Sequence, residues 1–438
     1  MPYDVIIGRD KSDTKKFGNR GLVFIGRGYV TMGNYTSLSN NIWLDVARSH
    51  VILIAGKRGS GKSYTIGAIA EELCNLEPNI SKNIAPLIFD TMGIFWTMKF
   101  KNEKEIELLH EWGLESKNLP VTIWVPYGYY EEYEKRQIPV DRKFALKASE
   151  LEAEDWILAF NLGITDPISI IIQKTINSLQ ESLGDFGITE IVDYIEQKEK
   201  NEQVRQAAVS LFQAADTWGI FAKQGMKGTE ISELVQGGNS TILDTSCYSS
   251  IGSFNVRALV IGLVCKKLFK ERMLSRKKEE MLALERGIDY LNEKKQKENP
   301  LIWLFIDEAH EFLPKENQEK TAASDALIQI LREGRQPGIS LVMATQQPGV
   351  IHRDAMTQSD IVISHRLTAQ PDIEALNMIM QTYLMESIRK NMADLPAAKG
   401  SAIILDDNSE RIYPIRVRPR FTWHGGESPA AISAKREM

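Results

Sequence analysis

The chain has 438 residues, of which 43% are hydrophobic and 25% are charged. This composition excludes a disordered or low-complexity chain and allows a substantial hydrophobic core. The formal net charge of −5 excludes a globally basic protein, so any binding to nucleic acid would depend on a local basic surface. Cys74, Cys247 and Cys265 have no metal-ligand spacing, and their odd, low number indicates a reducing compartment.

The N-terminus predicts a small β element and no targeting signal. The first residues, MPYDVIIGRDKSDTKKF, lack the apolar stretch of a signal peptide, and no apolar run elsewhere is long enough to cross a bilayer. We therefore expect a cytoplasmic protein that does not bind a membrane. Residues 1–46 are rich in glycine and β-branched residues and predict short strands packed on the main domain.

A series of apolar runs follows and predicts an α/β fold. VILIA (51–55) is continuously apolar, which is typical of a strand buried on both faces of a parallel sheet. Most of the later runs are separated by helical stretches. These runs are PLIFD (86–90), VTIWV (121–125), TILD (241–244), LIWLFID (301–307), SLVMAT (340–345), DIVIS (360–364) and SAIIL (401–405). The alternation predicts a doubly wound, mostly parallel sheet over residues 47–427, followed by a tail at 428–438.

Two helical regions interrupt this alternation. Between residues 140 and 235 the strand signal gives way to helical periodicity, so we predict a helical insertion there. Residues 270–299 are highly charged and predict an exposed helix that leads to the next strand. We interpret these charges as a solvated face rather than a DNA-binding site.

A glycine-rich loop joins the first buried strand to a helix. Residues 56–63, GKRGSGKS, match the pattern G-x-x-x-x-G-K-[ST] in full. Such a loop directs its backbone N–H groups at phosphates, at a helix N-terminus. We predict that Lys62 reaches the β- and γ-phosphates of ATP and that the Ser63 hydroxyl binds Mg²⁺. The predicted nucleotide-binding residues are Gly56, Arg58, Gly59, Ser60, Gly61, Lys62, Ser63 and Tyr64. A chance glycine-lysine turn is the alternative, and the flanking strand and helix argue against it.

Polar side chains end two of the other buried strands. Asp307 and Glu308 follow LIWLFI, so they should emerge at the same carboxyl edge of the sheet as the glycine-rich loop. We expect Asp307 to hold Mg²⁺ and Glu308 to polarise the attacking water as a general base. Gln346 follows SLVMAT and should contact the γ-phosphate and this water. Helix capping is the alternative for each, but the glycine-rich loop favours an ATP-hydrolysing, RecA-like P-loop protein.

The order of these motifs resembles the HerA/FtsK superfamily, and within it the HerA-like ATPases. The resemblance covers about residues 20–427 and rests on GKRGSGKSY, LFIDEAHEFLP, LREGRQPGISLVMATQQP and RPRFTWHGGES. It implies a homohexameric ring that hydrolyses ATP between subunits and translocates on double-stranded DNA. It also implies a nuclease or another effector as partner, in DNA end processing or in defence.

The resemblance further implies an arginine finger from the neighbouring subunit. Such an arginine stabilises the charge that develops on the transferring phosphoryl group. The matching segment contains Arg332 and Arg335; we favour Arg332, and a surface salt bridge is the alternative for either. This family also has an N-terminal β-barrel and often an acid after Asp-x-x-Gly. Here only residues 1–46 precede the main domain, and Gly93 is followed by an apolar IFW that predicts a packing or partner surface.

Contact with DNA is predicted at a basic loop. A ring motor grips the DNA backbone with lysine and arginine on loops, and Lys223 and Lys227 lie in such a segment, KQGMKG. An ordinary surface turn is the alternative. The basic segment 411–420 is expected to form a strand and an extension that packs on a neighbouring subunit.

Two other functions are compatible with the same motifs. One is a secretion or conjugation ATPase that drives protein or DNA through an envelope complex. The other is a nucleotide-gated scaffold that regulates a partner enzyme without moving along DNA, which the short N-terminus and acidic net charge allow. Stimulation of ATP hydrolysis by DNA would distinguish a translocase from a scaffold.

Overall fold

The computed structural model describes residues 3–32, 35–223, 225–248, 254–286, 299–379 and 385–426. A 13-stranded sheet runs through them in the order β1-β3-β2-β13-β12-β11-β4-β10-β9-β5-β8-β6-β7. The strands are β1 (Val5–Ile7), β2 (Leu22–Met32), β3 (Tyr35–Asp45), β4 (Val51–Ala55), β5 (Ile84–Asp90), β6 (Val121–Pro126), β7 (Arg142–Phe144), β8 (Ser240–Asp244), β9 (Leu301–Ile306), β10 (Ile339–Thr345), β11 (Ile361–His365), β12 (Ser401–Asp406) and β13 (Arg411–Val417). Every apolar run predicted as a strand is a strand.

Helices connect most of the central strands. The α-helices are Lys11–Phe17, Lys62–Asn75, Pro78–Ser81, Ile106–Glu111, Tyr130–Lys135, Ala153–Ala159, Pro167–Ser182, Ile188–Lys198, Glu202–Asp216, Ile231–Leu234, Phe254–Arg286, Ser324–Glu333, Arg353–Thr357, Gln370–Ile379 and Met385–Asp394. Short 3₁₀ helices are Phe95–Lys99, Tyr127–Tyr129, Ala148–Glu150, Ser246–Tyr248 and Ala309–Glu311. Among the described residues, none of these helices is both long and apolar enough to span a membrane.

The central strands are parallel and covered on both faces. From β11 through β4, β10, β9, β5 and β8 to β6 and β7, each neighbouring pair is parallel. Alternate residues of β4 enter two different hydrophobic clusters. Leu53 and Ala55 belong to the cluster of the helical insertion and the helix Phe254–Arg286, whereas Ile52 and Ile54 belong to that of the helix Lys62–Asn75. This two-sided burial explains why the strand is continuously apolar and confirms the doubly wound architecture.

The N-terminal strands extend this sheet instead of packing on it as a separate layer. β2 and β3 are 11 residues each, longer than the short strands we expected, and form an antiparallel pair. β2 also pairs with β13, so the hairpin joins the main sheet through the last strand of the chain. Sequence patterns could not show this pairing, because it depends on an edge that β13 supplies almost 400 residues later. The domain boundary between residues 46 and 47 stays a prediction.

The helical insertion packs around aromatic side chains. The ring of Trp156 lies 5.0 Å from those of Phe212 and Phe221, so three separate parts of the insertion share one core. Residues 254–286 form one continuous helix, Phe254–Arg286, which contains the described part of the predicted charged helix. Residues 287–298 of the predicted charged helix lie outside the described residues.

A buried histidine joins the N-terminal strands to the central sheet. His50 precedes β4 and is 4% exposed; its Nδ1 lies 2.6 Å from Asp360 Oδ2, and its Nε2 lies 3.7 Å from Asp45 Oδ2. Burial by itself lowers the pKa of His50. The hydrogen bond with Asp360 and the negative charges of Asp360 and Asp45 outweigh burial and raise the pKa to about 9. The protonated imidazole therefore stabilises this junction at neutral pH.

We expect this histidine to make stability depend on pH. Because its pKa rises from 6.5 to about 9 on folding, its contribution is complete below pH 6.5 and is lost as the pH rises through 9. The free energy of unfolding should fall between pH 6 and pH 9.5 by on the order of 3 kcal/mol more in the wild type than in His50→Gln. Urea denaturation at several pH values measures this difference. His110→Gln, at an exposed position, is the control. If the free energy of unfolding changed equally with pH in all three proteins, the prediction would be contradicted.

Candidate nucleotide site

The glycine-rich loop has the backbone of a phosphate-binding loop. It joins β4 to the helix Lys62–Asn75, and Gly59 and Gly61 have φ values of 73° and 113°, which residues with a side chain rarely adopt. A Cβ atom at Gly56 would lie 2.4 Å from the Ser60 hydroxyl oxygen, so this position also requires glycine. The loop therefore presents its backbone at a helix N-terminus, as an anion-binding loop does.

Strand order brings the predicted acids beside this loop. β10 lies between β4 and β9 and is parallel to both, so the carboxyl ends of all three strands meet at one edge of the sheet. At this edge Ser63 Oγ donates a hydrogen bond to Asp307 Oδ2 at 2.5 Å. The two residues are 244 positions apart in the sequence, and only the parallel register places them together.

Glu308 and Gln346 meet at the same edge. Gln346 Nε2 donates to Glu308 Oε1, and Glu308 itself has left-handed backbone angles, with φ of 51°. Its second oxygen, Oε2, is buried without a hydrogen-bond partner among the described residues, and His310 Nδ1 lies 3.6 Å from it. A strained backbone and a buried carboxylate oxygen without a hydrogen bond are typical of a residue held for chemistry rather than for folding.

Burial controls the charges in this site. Lys62 is 5% exposed, and burial lowers the pKa of its ammonium group against the opposing effects of Glu308 and Asp307. Asp307 is 2% exposed, and burial raises its pKa, while the hydrogen bond from Ser63 opposes that rise. Since these groups lie away from bulk water, each would interact strongly with a phosphate or a metal ion.

The donor atoms fit Mg²⁺ that arrives with a nucleotide. Ser63 and Asp307 supply a hydroxyl and a carboxylate oxygen side by side, which are the hard ligands that Mg²⁺ prefers. In the described part of the chain, no group of three His, Cys, Asp or Glu side chains could hold a metal ion. The site thus fits an ion that takes its remaining ligands from phosphates and water, rather than a cage built by the protein alone.

The C-terminal segment packs on the helix behind the loop, within the same chain. Glu71 of that helix is fully buried and accepts hydrogen bonds from Arg420 Nε at 2.9 Å and Arg418 Nη2 at 3.2 Å. The backbone N–H of Phe421 donates to the same carboxylate at 2.9 Å. The strand predicted in 411–420 is β13. The expectation that its extension packs on a neighbouring subunit is wrong, because the buried carboxylate binds both guanidinium groups.

Tyr64 links this C-terminal segment to the loop. Its hydroxyl donates to Glu105 Oε2 and accepts from the backbone N–H of Arg420, both at 2.8 Å. Its ring lies 5.2 Å from that of His424, in the HGG ending. The hydroxyl is therefore engaged within the protein. Arg58, also predicted to bind the nucleotide, is exposed at the outer turn of the loop.

The other predicted cations lie outside this cluster. Arg332 is 59% exposed and forms an ion pair with Asp354, its Nε 2.6 Å from Oδ2. Arg335 is exposed, and no ion pair is formed by it within the described residues. Lys223 and Lys227 are exposed too, and Lys223 lines a cavity of about 510 Å³ in the helical insertion. None of these four is held at the glycine-rich loop by a contact within the described chain.

Sequence reasoning noted Asp90 only as part of the Asp-x-x-Gly segment and missed that it pairs with a second buried acid next to the site. Asp90 and Asp244 end β5 and β8 and lie opposite each other in the register. The Asp90 carboxylate accepts the N–H groups of Gly93 and Phe95 at 2.8 Å each, so it builds the turn in the Asp-x-x-Gly segment. Burial and the neighbouring Asp244 raise the pKa of Asp90 to about 7. Sequence reasoning also missed His365. This residue directly follows the apolar run DIVIS, and a polar residue directly after an apolar run is the signal that identified Gln346.

This fold and this site define a RecA-like P-loop nucleoside triphosphatase. The family model for the central domain of the helicase HerA matches residues 30–268, which is more than half of the chain. The chain therefore belongs to the HerA central-domain family, and the predicted resemblance is confirmed. A curated relative, the probable DNA double-strand break repair helicase HerA of Methanocaldococcus jannaschii, is 31% identical over 104 residues. That match spans 24% of this chain and 20% of the relative.

Solved structures show the same fold at low sequence identity. VirB4 of Thermoanaerobacter pseudethanolicus superposes with a TM-score of 0.54 at 12% identity, over 91% of this chain and 96% of that one. The bacterial conjugative coupling protein TrwBdeltaN70 superposes with a TM-score of 0.50 at 11% identity, over 86% of each chain. At these identities the likeness is one of fold, and it agrees with the predicted RecA-like architecture.

Proposed function

We propose that this chain is an ATP-hydrolysing ring motor that translocates on or unwinds double-stranded DNA. The observation that carries the proposal is the meeting of Ser63 with Asp307, and of Glu308 with Gln346, at one edge of the sheet beside the glycine-rich loop. The HerA family supports the motor function. The proposal goes beyond the family assignment in two respects, namely action on DNA and location in the cytoplasm.

In this proposal the residues divide the work between binding and chemistry. The loop 56–61 and the helix N-terminus bind the phosphates of ATP, and Lys62 places its charge at the β- and γ-phosphates. Ser63 and Asp307 would hold Mg²⁺, which would supply positive charge to the phosphates. Glu308 orients and deprotonates the attacking water, and Gln346 fixes the carboxylate and reaches the γ-phosphate. Tyr64 contributes its backbone N–H, since its hydroxyl is bound to Glu105.

Hydrolysis between subunits would complete this site with an arginine. Among the described residues, Lys62 is buried and its charge acts on Asp307. In this proposal a neighbouring subunit supplies a further positive charge for the transition state. Arg332 and Arg335 remain the candidates. The pair with Asp354 would have to open for Arg332 to insert, whereas Arg335 is exposed and forms no ion pair with any residue that the structure describes. A homohexamer is the assembly in this proposal.

Contact with DNA is proposed at Lys223 and Lys227, which are exposed and carry the charges that phosphates attract. A nuclease or another effector protein is the proposed partner. The acidic net charge of −5 means that attraction to DNA has to be local, so binding should weaken steeply with salt.

We expect linear double-stranded DNA to stimulate ATP hydrolysis by at least about tenfold at low salt, because DNA orders the ring and its shared sites. Steady-state phosphate release with and without DNA, beside a measurement of mass in solution, checks this. The Lys62→Ala variant, which lacks a functional nucleotide site, is the negative control. The double variant Lys223→Ala/Lys227→Ala should lose stimulation by DNA while keeping basal ATP hydrolysis. Hydrolysis indifferent to DNA would contradict translocation and favour a secretion motor or a scaffold.

A further inference from the structure

His365 fills the space directly beneath the phosphate loop. It is the last residue of β11, the strand next to β4, and it is fully buried. A Cβ atom added at Gly56 would lie 2.7 Å from His365 Cβ, and one at Gly61 would lie 3.5 Å from His365 Cε1. Both ends of the glycine-rich loop therefore lie against His365, Gly56 against its Cβ atom and Gly61 against its ring.

Both ring nitrogens of His365 are hydrogen-bonded. Nδ1 lies 3.0 Å from the backbone oxygen of Ser401 in β12, and Nε2 lies 2.9 Å from Thr65 Oγ1. A carbonyl oxygen only accepts hydrogen bonds, so Nδ1 carries the hydrogen. Burial lowers the pKa of His365 to about 4, so the ring is neutral at physiological pH and Nε2 accepts from the Thr65 hydroxyl.

Thr65 transmits this contact to the phosphate site. It lies in the first turn of the helix Lys62–Asn75, two residues after Ser63, and it is 2% exposed. Its hydroxyl has one hydrogen and also lies 3.1 Å from the Gly61 backbone oxygen. The hydroxyl donates to Gly61 as well as to Nε2, so its one hydrogen is shared between the two acceptors. Without the imidazole it would serve Gly61 alone, and the link between the helix and β11 would be lost. The helix start is the part whose N–H groups face an anion.

Arg366, which follows His365, holds the first part of the glycine-rich loop. The backbone N–H of Lys57 donates to the Arg366 backbone oxygen at 3.2 Å, and Arg366 in turn donates to the Leu395 oxygen at 2.9 Å. The end of β11 thus anchors both the first and the last part of the glycine-rich loop.

We propose that His365 is a positioning residue that holds the phosphate loop and the first helical turn in the conformation that binds ATP. It is fully buried and acts through Thr65 and the two glycines. The inference rests on the ATP-binding part of the proposed function and does not depend on DNA. Loss of the contact should weaken ATP binding and leave the chemical step almost unchanged.

His365→Asn and Thr65→Val test this role, the second with almost no change in volume. The asparagine keeps a donor for the Ser401 oxygen but is too short to reach Thr65, and the valine removes the hydroxyl. Each variant should raise the Kd and the KM for ATP by about tenfold, the loss of one buried hydrogen bond. kcat should change by less than about threefold, and the double variant should be no worse than either single one. Thr65→Ser restores the hydroxyl and should bind ATP like the wild type.

Titration calorimetry with ATP, steady-state kinetics and urea denaturation of the same proteins provide the readouts. If the variants lose stability but bind ATP with the wild-type Kd, His365 is a packing residue and the proposal is overturned. Additive effects in the double variant would overturn the proposed coupling through Thr65. A wild type that fails to bind ATP would overturn the nucleotide site itself, and so the proposed function with it.

Discussion

Glu308→Gln should reduce the kcat for ATP hydrolysis by about 10²- to 10⁴-fold, the usual contribution of a general base. The amide has the shape of the carboxylate but cannot take a proton from water. Gln346 can still donate to the remaining oxygen, so the side chain should stay in place. ATP binding should therefore change little, because the phosphate loop, Lys62 and Ser63 are intact. Phosphate release measures kcat, and calorimetry measures the Kd.

The control for this variant is Glu316→Gln, at an exposed position in the loop that follows the same strand. It removes the same charge from the chain without touching the site, so both kcat and Kd should match the wild type. Wild-type hydrolysis by Glu308→Gln would assign the general base to another residue. A large loss of ATP affinity would instead show that Glu308 is part of the binding site.

Glu71→Ala should lower the free energy of unfolding by about 3–5 kcal/mol, the cost of removing one partner from a buried ion pair. Arg418 and Arg420 are both fully buried, and without Glu71 their charges would lack this counter-ion. Burial raises the pKa of Glu71, but the two guanidinium groups outweigh it and lower the pKa, so the carboxylate is charged. Urea denaturation at neutral pH measures the loss.

Glu132→Ala provides the comparison for this prediction. Glu132 is 48% exposed and pairs with Arg136 on the same helix, so its loss should cost less than about 1 kcal/mol. Because Glu71 lies on the helix that begins at the phosphate loop, Glu71→Ala should also weaken ATP binding in the fraction that folds. Equal stability of the two variants would show that the C-terminal segment contributes little to the fold.

Local patterns in the sequence predicted most of the central sheet and the centre of the site. VILIA, the glycine-rich loop and the helix after it are contiguous, and each is recognisable from its own residues. Asp307, Glu308 and Gln346 were identified because a polar residue directly after a buried strand has to emerge at the edge of the sheet. The structure places these side chains together. Their roles in catalysis stay predictions until the variants are measured.

The contacts that support the site could not be predicted in this way. Glu71 meets Arg418 and Arg420 across about 350 positions, and His365 meets Thr65 across 300. Neither pair has a characteristic spacing, since the order of the strands determines which distant residues become neighbours. The same reason explains the error at segment 411–420. Arg418 and Arg420 looked like part of a surface for another subunit but are buried against an acid of their own chain.

The sequence by itself determined the class of this protein, because the phosphate loop and its adjoining strand and helix are built from consecutive residues whose φ angles and burial follow from residue type. Only the tertiary structure decided what holds that loop in place. The strand order puts β11 and β10 on either side of β4, and the last strand of the chain closes the sheet against the first hairpin. This order places His365 under the glycines and places Arg418 and Arg420 behind the helix Lys62–Asn75. Buried charges and polar groups require partners, and only the folded chain supplies them.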